Sequence, residues 1–436
     1  MENGLNKKYG LLTAICMVVG IVVGSGVFFK AQTILQKTEG NMVMGIWAWL
    51  IGGAIMLCCI AAFSIMATKY EKVNGIVDYA EATVGRKYGY VVGWFLTMIY
   101  YPTLTSVLAW LSARYTLVFL TSAFPDKITL VIPAAEGGCV IGPECMALSV
   151  FFLCAAYAVN ALSPKIAGHF QVATTIIKLI PLLLMAVAGI IVGLVSDQGL
   201  LLENMANPGA ETTGNPLFGA IVATVFAYEG WIIATSINAE LKDAKRNLPI
   251  ALIAGGIIIV AIYLFYYIGV AGGATVEDLM HDGATTAYLN IFGGAFGNIL
   301  NLFVAISCMG TLNGLMLGCT RGIYAVATRG EGPHPEMFRQ VDKVTNMPNN
   351  ASILGLLLCG FWFLFFYGSN LAAFGWFGLF SFDSSELPIV TIYALYIPIY
   401  LMFMKKATDL SFTRRYLIPA LGLVGSVFMV CAAIYA

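Results

Sequence analysis

Long apolar runs alternate with short polar stretches along the whole chain. A helix that spans the hydrocarbon core of a bilayer needs about 20 predominantly apolar residues, and the apolar runs of this chain reach that length. The pattern therefore predicts eleven membrane-spanning segments. Their expected positions are 9–36, 44–68, 89–120, 147–163, 169–195, 216–239, 249–273, 293–326, 351–368, 378–404 and 415–435.

Two of these segments are interrupted by residues that weaken a helix. Segment one contains the stretch GIVVGSGVF over residues 20–28, and segment six contains FAYEGW over residues 226–231. Irregular backbone is tolerated at membrane depth only where protein covers it or where it lines a cavity. Breaks at corresponding positions of two halves are the best sequence indication of a binding site in a transporter. The pattern indicates a membrane transporter.

The segments divide into two blocks of similar length. Segments one to five cover 9–195, segments six to ten cover 216–404, and each block opens with a broken helix. Because five is odd, the second block begins on the opposite side of the membrane. This order predicts an all-α five-plus-five inverted repeat in a single transmembrane domain. Segment eleven, 415–435, is an extra helix, after which the protein either stops or continues into a twelfth.

Composition agrees with this class. Of the 436 residues, 59% are hydrophobic and only 11% are charged, and the mean hydropathy is +0.85. A soluble protein carries about 25% charged residues, so an ordinary soluble domain is excluded. The net charge of zero indicates no particular partner, and we expect the lipid bilayer and a small solute, but no nucleic acid.

The loops show a strong asymmetry in basic residues, which predicts the orientation. If the N-terminus is cytoplasmic, the only basic residues in the outer loops are Lys37 and Lys127. The inner side then collects most of the 23 basic residues: Lys7, Lys8, Lys69, Lys72, Arg86, Lys87, Lys165, Lys242, Lys245, Arg246, Arg321, Arg329, Arg339, Lys343, Lys405, Lys406, Arg414 and Arg415. The opposite orientation would invert this ratio.

Cysteine and histidine placement predicts no metal site and no cofactor. Eight of the ten cysteines lie in apolar runs, where they act as small hydrophobic residues. Cys139 and Cys145 lie in the loop between segments three and four, and a disulfide and two reduced thiols fit their spacing equally well. The three histidines lie at helix ends or in loops, which argues against a histidine proton relay and against an enzyme.

The break in segment one offers complementary sites for the two ends of a zwitterion. Backbone N–H groups at Gly24, Ser25 and Gly26, together with the N-terminus of the half-helix that follows, suit a carboxylate. The carbonyls of Val22 and Val23 end the preceding half-helix and suit an ammonium group. Helix packing through small residues is the alternative explanation for these glycines.

Segment six combines its break with aromatic bulk. Carbonyls of Phe226, Ala227 and Glu229 are candidates to accept ammonium protons, and the Phe226 ring is a candidate gate over a bound solute. Ordinary aromatic packing is the alternative for Phe226. A carboxylate at membrane depth is costly and usually faces a cavity, so Glu229 is the more informative residue.

Lys178 lies mid-way through segment five, three residues before Pro181. Because proline cannot donate to the carbonyl of Ile177, the backbone is loosened beside the charge. An ammonium here can bond carbonyls of the first break, with Ser307 and Thr311 in segment eight as candidate partners in coupling. Snorkelling to an interface is the alternative for the lysine, and polar packing for the two hydroxyls.

Three further charged residues, Arg114, Asp383 and Glu386, are candidates for an outer vestibule, although solvated helix ends explain them equally well.

These motifs resemble those of amino-acid transporters in the amino acid–polyamine–organocation superfamily, most of all the L-type group and the bacterial serine/threonine exchangers. VGSGVF over 23–28 and FAYEGW over 226–231 resemble the signatures of helices one and six. TIIKLIP over 175–181 is similar to the lysine-bearing helix five. Residues 313–321, followed by RGEG over 329–332, resemble helix eight and its inner loop.

The resemblance covers residues 5 to about 370 and implies a LeuT-like fold in a cell membrane. It implies sodium-independent exchange of small neutral L-amino acids by alternating access. In this family the carboxylate binds N–H groups that correspond to residues 24–26, and the amine binds carbonyls that correspond to Val22, Phe226 and Glu229. Lys178 then occupies the place that a sodium ion takes in sodium-driven relatives.

The chain departs from the family in three places, one of which is the absence of a predicted twelfth helix. Glu229 stands where relatives carry glycine or aspartate, which keeps a proton-coupled or cationic-substrate carrier as the alternative function. A helix-seven tyrosine of relatives falls nearest Val270, so Tyr266 or Tyr267 is expected to substitute. Eukaryotic relatives tether a glycoprotein through a cysteine in the loop that holds Cys139, but bacterial ones work alone, and we expect no obligatory protein partner.

Overall fold

The computed structural model describes residues 10–70, 75–125, 127–128, 142–162, 164–195, 200–210, 215–234, 241–342, 347–372 and 375–435. Cys139 lies outside these residues, so the disulfide with Cys145 stays a prediction. Lys7 and Lys8 of the orientation argument lie outside them as well.

The first block consists of five long helical units. The first unit is broken between α1 and α2, and the third and fifth each contain one π-helical turn, Leu96–Tyr100 and Met185–Gly189. The helices are α1 (Leu11–Val22), α2 (Gly26–Lys37), α3 (Met42–Tyr70), α4 (Ile76–Thr83), α5 (Arg86–Phe95), α6 (Tyr101–Ala123), α7 (Pro143–Leu162), α8 (Pro164–Leu184), α9 (Ile190–Val195) and α10 (Leu200–Ala206).

The second block repeats this order, again with a broken helix first. Its last unit is followed by one additional helix, which a π-helical turn at Thr413–Leu417 introduces. The helices are α11 (Pro216–Tyr228), α12 (Trp231–Ala234), α13 (Ala244–Ala271), α14 (Val276–Asp282), α15 (Ala284–Phe292), α16 (Gly294–Thr328), α17 (Pro335–Phe338), α18 (Asn349–Phe366), α19 (Leu387–Lys406) and α20 (Ile418–Tyr435).

Among the described residues, nine helices are long and apolar enough to cross a membrane. Two shorter apolar helices, Leu11–Gly20 and Pro216–Tyr228, each end at one of the glycine-containing breaks. These eleven elements correspond to the eleven predicted segments, and the fold is the predicted all-α arrangement with broken helices one and six. Residues 235–239 of predicted segment six lie outside the described part of the chain.

The predicted start of segment ten was wrong. The segment was expected at 378–404, but α19 begins at Leu387, and only a single 3₁₀ turn, Gly378–Phe380, precedes it. Gly375 and Gly378 have φ angles of +49° and +55°, which a continuing helix does not allow. The apolar composition before Leu387 belongs to a loop. Pro388, in the first turn of α19, fits a helix start because its missing N–H would be unpaired there anyway.

Packing divides the helices into two groups that meet at the breaks. In one group α1 packs on α13, while α11 packs on α2 and α3. In the other group α16 packs along α6 and α8. Small residues allow the closest approaches: a Cβ at Gly189 would lie 2.2 Å from the carbonyl oxygen of Gly269. Such contacts are typical of helix packing in membranes, where the apolar effect between helices is weak.

Candidate functional site

The first helix is interrupted where the sequence is richest in glycine. α1 ends at Val22, Val23 is extended with φ −64° and ψ 106°, and Ser25 is the N-cap of α2. The first N–H groups of a helix have no intrahelical acceptors. The start of α2 therefore presents donors and the positive end of a helix dipole to the break.

The sixth helix is interrupted at Glu229 and Gly230. α11 ends at Tyr228, Glu229 is extended with φ −75° and ψ 161°, and α12 resumes at Trp231. Gly230 has φ +105°, a conformation that side chains disfavour, so glycine is required for the chain to turn here. The carbonyl groups at the end of α11 therefore have no helical N–H partners, and they face the first break.

The two breaks touch each other. A Cβ at Gly26 would lie only 2.6 Å from the Cα of Ala227 and 3.1 Å from the carbonyl oxygen of Phe226. At Gly24 a Cβ would lie 2.9 Å from the Oγ1 of Thr311, on α16. The backbones approach so closely because neither glycine carries a side chain.

A cavity of about 240 Å³ lies at this junction. Most of the predicted site residues line it, namely Val22, Gly24, Ser25, Gly26, Lys178, Phe226, Ala227, Glu229 and Thr311. Residues that sequence reasoning did not select complete the lining, among them Tyr100, Leu104, Leu108, Gly314 and Ile389. Val23 and Ser307 are buried away from the cavity, Val23 because its extended backbone turns the side chain into the core.

Buried polar groups face this cavity. Glu229 is only 8% exposed, and neither of its carboxylate oxygens makes a hydrogen bond of regular geometry within the described residues, although Tyr100 and the Gly230 N–H lie near. The buried Ser25 hydroxyl also makes no hydrogen bond of regular geometry there, although the Cys308 thiol lies near. Buried polar groups without partners are costly, so these groups are available to a polar solute.

Lys178 reaches helix one from α8. Its side chain is 2% exposed, and Nζ donates to the carbonyl oxygen of Gly20 at 2.5 Å. Thr311 Oγ1 donates instead to the carbonyl of Ser307, at 3.1 Å. The ammonium group thus contacts the helix-one backbone, and within the described residues it makes no hydrogen bond to the hydroxyl of Ser307 or Thr311.

Tyr263 on α13 is a site residue that the sequence analysis missed. Its hydroxyl lies 3.1 Å from the carbonyl oxygen of Val22 and 3.0 Å from that of Ala227, so it bridges the two breaks. Its ring stacks on Tyr228 and meets the edge of Trp49. Tyr266 and Tyr267, which were expected in such a role, point elsewhere, and no sequence signal separates the three tyrosines of this helix.

Aromatic rings and an ion pair close the cavity at one end of the bundle. Phe226 meets Phe29 edge-on with centroids 6.1 Å apart, and Lys30 Nζ lies 5.5 Å from the Phe226 centroid. Lys30 donates to Glu386 at 2.7 Å and to Ser385 at 2.9 Å. We call this end of the bundle the Lys30 end.

Two further polar contacts lie at the Lys30 end. Arg114 donates to Gln32 at 3.1 Å, and Gln32 donates to the carbonyl of His281 at 2.7 Å. These bonds connect α2 to α6 and to α14. Of the three residues expected in a vestibule, Arg114 and Glu386 are therefore engaged in interhelical contacts.

The opposite end of the bundle is open. A vestibule of about 470 Å³ shares Gly314, Leu315 and Leu317 with the cavity. Arg329 is part of its wall and pairs with Asp78 and Glu81 of α4. We call this end the Arg329 end. Within the described residues, the vestibule thus connects the cavity to the Arg329 end of the bundle.

Comparison with known proteins identifies the class. Residues 9–436 match the amino acid permease family, so the chain belongs to that family. The serine/threonine exchanger SteT of Bacillus subtilis (strain 168) is 28% identical over 440 residues, which cover 98% of this chain and 91% of SteT. The human cystine/glutamate transporter is 23% identical over 347 residues, covering 79% of this chain and 66% of the relative.

A solved structure has the same fold. MhsT in complex with L-phenylalanine superposes with a TM-score of 0.64 at 14% identity and covers 99% of this chain and 100% of its own. These findings confirm the predicted family and the LeuT-like fold. The protein is a multi-pass membrane amino-acid transporter.

The contact between the breaks predicts that Gly26 tolerates no side chain. In Gly26→Ala the added methyl group would force the two backbones apart, and such overpacking costs about 1–3 kcal/mol. We expect the apparent affinity for amino acids to fall about tenfold or more, measured as uptake into proteoliposomes. Gly360→Ala is the matched control, since a Cβ there meets nothing within 4 Å. Unchanged affinity in Gly26→Ala would exclude this contact from the site.

The bridging hydroxyl predicts a difference between two tyrosines on one helix. Tyr263→Phe removes a buried hydrogen bond worth about 1 kcal/mol, so we expect amino-acid exchange to slow about two- to tenfold. Tyr267→Phe is the control, because the buried Tyr267 hydroxyl has no hydrogen-bond partner within the described residues. Equal exchange rates in the two variants would show that the bridge has no role.

Proposed function

We propose that the protein is a sodium-independent exchanger of small neutral L-amino acids that works by alternating access. The observation that carries this proposal is the bond from Lys178 to the Gly20 carbonyl, at 2.5 Å. A fixed ammonium group stabilises the helix-one backbone without a dissolved cation. The similarity to a serine/threonine exchanger over 98% of the chain supports the same function.

The substrate is held by both breaks. Its carboxylate binds N–H groups of residues 24–26 at the start of α2, where the helix dipole favours an anion. Its ammonium group binds carbonyls of Val22, Phe226, Ala227 and Glu229, some of which Tyr263 already contacts. A carbonyl oxygen has two lone pairs, so the tyrosine and an ammonium group can share it. The small cavity favours a small side chain.

The Arg329 end faces the cytoplasm in this proposal. The basic residues of the connecting loops collect at that end, and cytoplasmic loops carry such an excess. The structure is then inward-open, with Phe226 and the Lys30–Glu386 pair closing the outer side. Exchange requires the Lys30 contacts to open and the vestibule to close in alternation. The protein acts in the cell membrane, with its N-terminus inside and without an obligatory protein partner.

Counterflow in proteoliposomes tests this mechanism. We expect uptake of labelled serine to require internal amino acid, to be unchanged when choline replaces sodium, and to be insensitive to a pH gradient. Lys178→Ala should slow exchange at least about tenfold, equivalent to about 1.4 kcal/mol, with binding partly retained, because the ammonium group no longer supports helix one.

Lys87→Ala is the control for loss of a lysine, since Lys87 is exposed at the start of α5. Collapse of wild-type uptake without sodium would contradict both the role of Lys178 and the exchanger mechanism.

Glu229 supports a second candidate function, a carrier of cationic amino acids or of protons. Its carboxylate lines the cavity and has no regular hydrogen bond within the described residues. If neutral exchange is correct, Glu229→Gln should keep serine exchange, and lysine and arginine should not compete with serine in the wild type. Competition by lysine in the wild type that disappears in Glu229→Gln would instead establish the second function.

A further inference from the structure

The loop between α18 and α19 carries large apolar side chains that the protein does not cover. Leu379 is 95% exposed and Phe380 is 71% exposed, and Trp376, Phe377 and Phe382 are also exposed. Residues 371–382 contain no charged residue. Exposed apolar clusters of this kind mark a surface that is covered by something other than water.

The loop is held against the end of α18. The backbone N–H of Trp376 donates to the Gly368 carbonyl at 2.8 Å. The Phe377 ring stacks on Phe365 with centroids 5.0 Å apart, and the Trp376 ring meets Tyr367 at 5.1 Å. The 3₁₀ turn Gly378–Phe380 then directs Leu379 and Phe380 outward. This surface is built into the fold.

The same surface continues along the helix. Leu357, Phe361 and Leu364 are exposed on one face of α18, at spacings of four and three residues. Because α18 is a membrane-spanning helix in a membrane transporter, this face contacts lipid. Trp376 and Phe377 extend it beyond the end of the helix, where the bilayer interface begins. Aromatic side chains are enriched at that level.

We propose that the segment 376–382 is an anchor that inserts into the head-group and upper acyl region of the bilayer. With the orientation proposed above, this is the outer leaflet. Its partner is phospholipid, because the segment is apolar, uncharged and continuous with a lipid-facing helix surface. Elements that lie in the bilayer interface bury their apolar face about 5–10 Å into the boundary between head groups and acyl chains.

The anchor is connected to the residues that close the outer side. Asp383 follows it directly and accepts hydrogen bonds from the N–H and the hydroxyl of Ser385, at 2.7 and 2.6 Å. Ser385 and Glu386 in turn hold the Lys30 ammonium group. Lipid contact at Leu379 and Phe380 thus fixes the position of both partners of Lys30.

Fluorescence quenching tests the location without depending on transport. Leu379→Cys is labelled with an environment-sensitive thiol dye in proteoliposomes that contain phosphatidylcholine with a nitroxide near its head group. The background protein has serine in place of Cys139 and of the cysteines that are not fully buried: Cys16, Cys58, Cys154 and Cys431. We expect the label to lose most of its fluorescence to the nitroxide lipid and to be protected from aqueous iodide.

Glu277→Cys is the matched control, because Glu277 is exposed on α14 near the same end of the bundle. Its label should respond to iodide and not to the lipid. Equal iodide quenching at both positions would overturn the proposal. Disulfide-linked dimers of Leu379→Cys without lipid quenching would also overturn it and would assign the surface to a second copy.

Exchange measurements test the connection to Lys30. The double variant Leu379→Asp, Phe380→Asp should expel the segment from the bilayer, and we expect exchange to slow several-fold. Leu202→Asp, at an exposed leucine of α10 that has no link to Glu386, should exchange like the wild type. Normal exchange by the double variant would overturn the connection, while the quenching result would still decide the location of the segment.

Discussion

A polar backbone group at membrane depth must be paired inside the protein, and the contact between the two helix breaks is where this chain meets that constraint. Gly26 lies so close to Ala227 that a single methyl group would not fit. Tyr263 contacts the carbonyls that each break releases. The released groups therefore face one another and a common cavity instead of lipid. The cavity exists because two helices are interrupted at the same depth.

The cavity lies between two groups of packed helices. On one side, Trp49, Tyr228 and Tyr263 form a compact aromatic cluster that ties α3, α11 and α13 together. On the other side, α16 packs along α6 and α8. Thr175, Lys178 and Thr311 are among the residues through which this second group contacts helix one. The proposed alternating access requires one group to move against the other.

Relatives of similar identity differ in what their names say they transport, from serine and threonine to cystine and glutamate. Overall sequence similarity therefore does not indicate which substrate side chain this protein prefers. The groups that can select it are those around the cavity that do not belong to the breaks, above all Tyr100, Leu104 and the carboxylate of Glu229. In the proposed mechanism, the backbone of the breaks binds the amino and carboxyl groups that all amino acids share, and these cavity side chains select the substrate side chain.

The sequence by itself determined the number of spans, the position of both breaks and the lysine beside helix one. These features depend on local properties: apolar length, the helix-weakening effect of glycine and the cost of a charge in lipid. It did not show that residues 378–386 are a loop, because apolar composition is the same in a span and in a loop at the bilayer interface. Only the tertiary structure showed that Tyr263, among the three tyrosines of α13, contacts both breaks. It also showed that Val23 lies away from the cavity, and that Lys30 pairs with Glu386, which lies 356 positions later in the chain. Each of these depends on contacts between distant segments, and no local pattern in either segment records its partner.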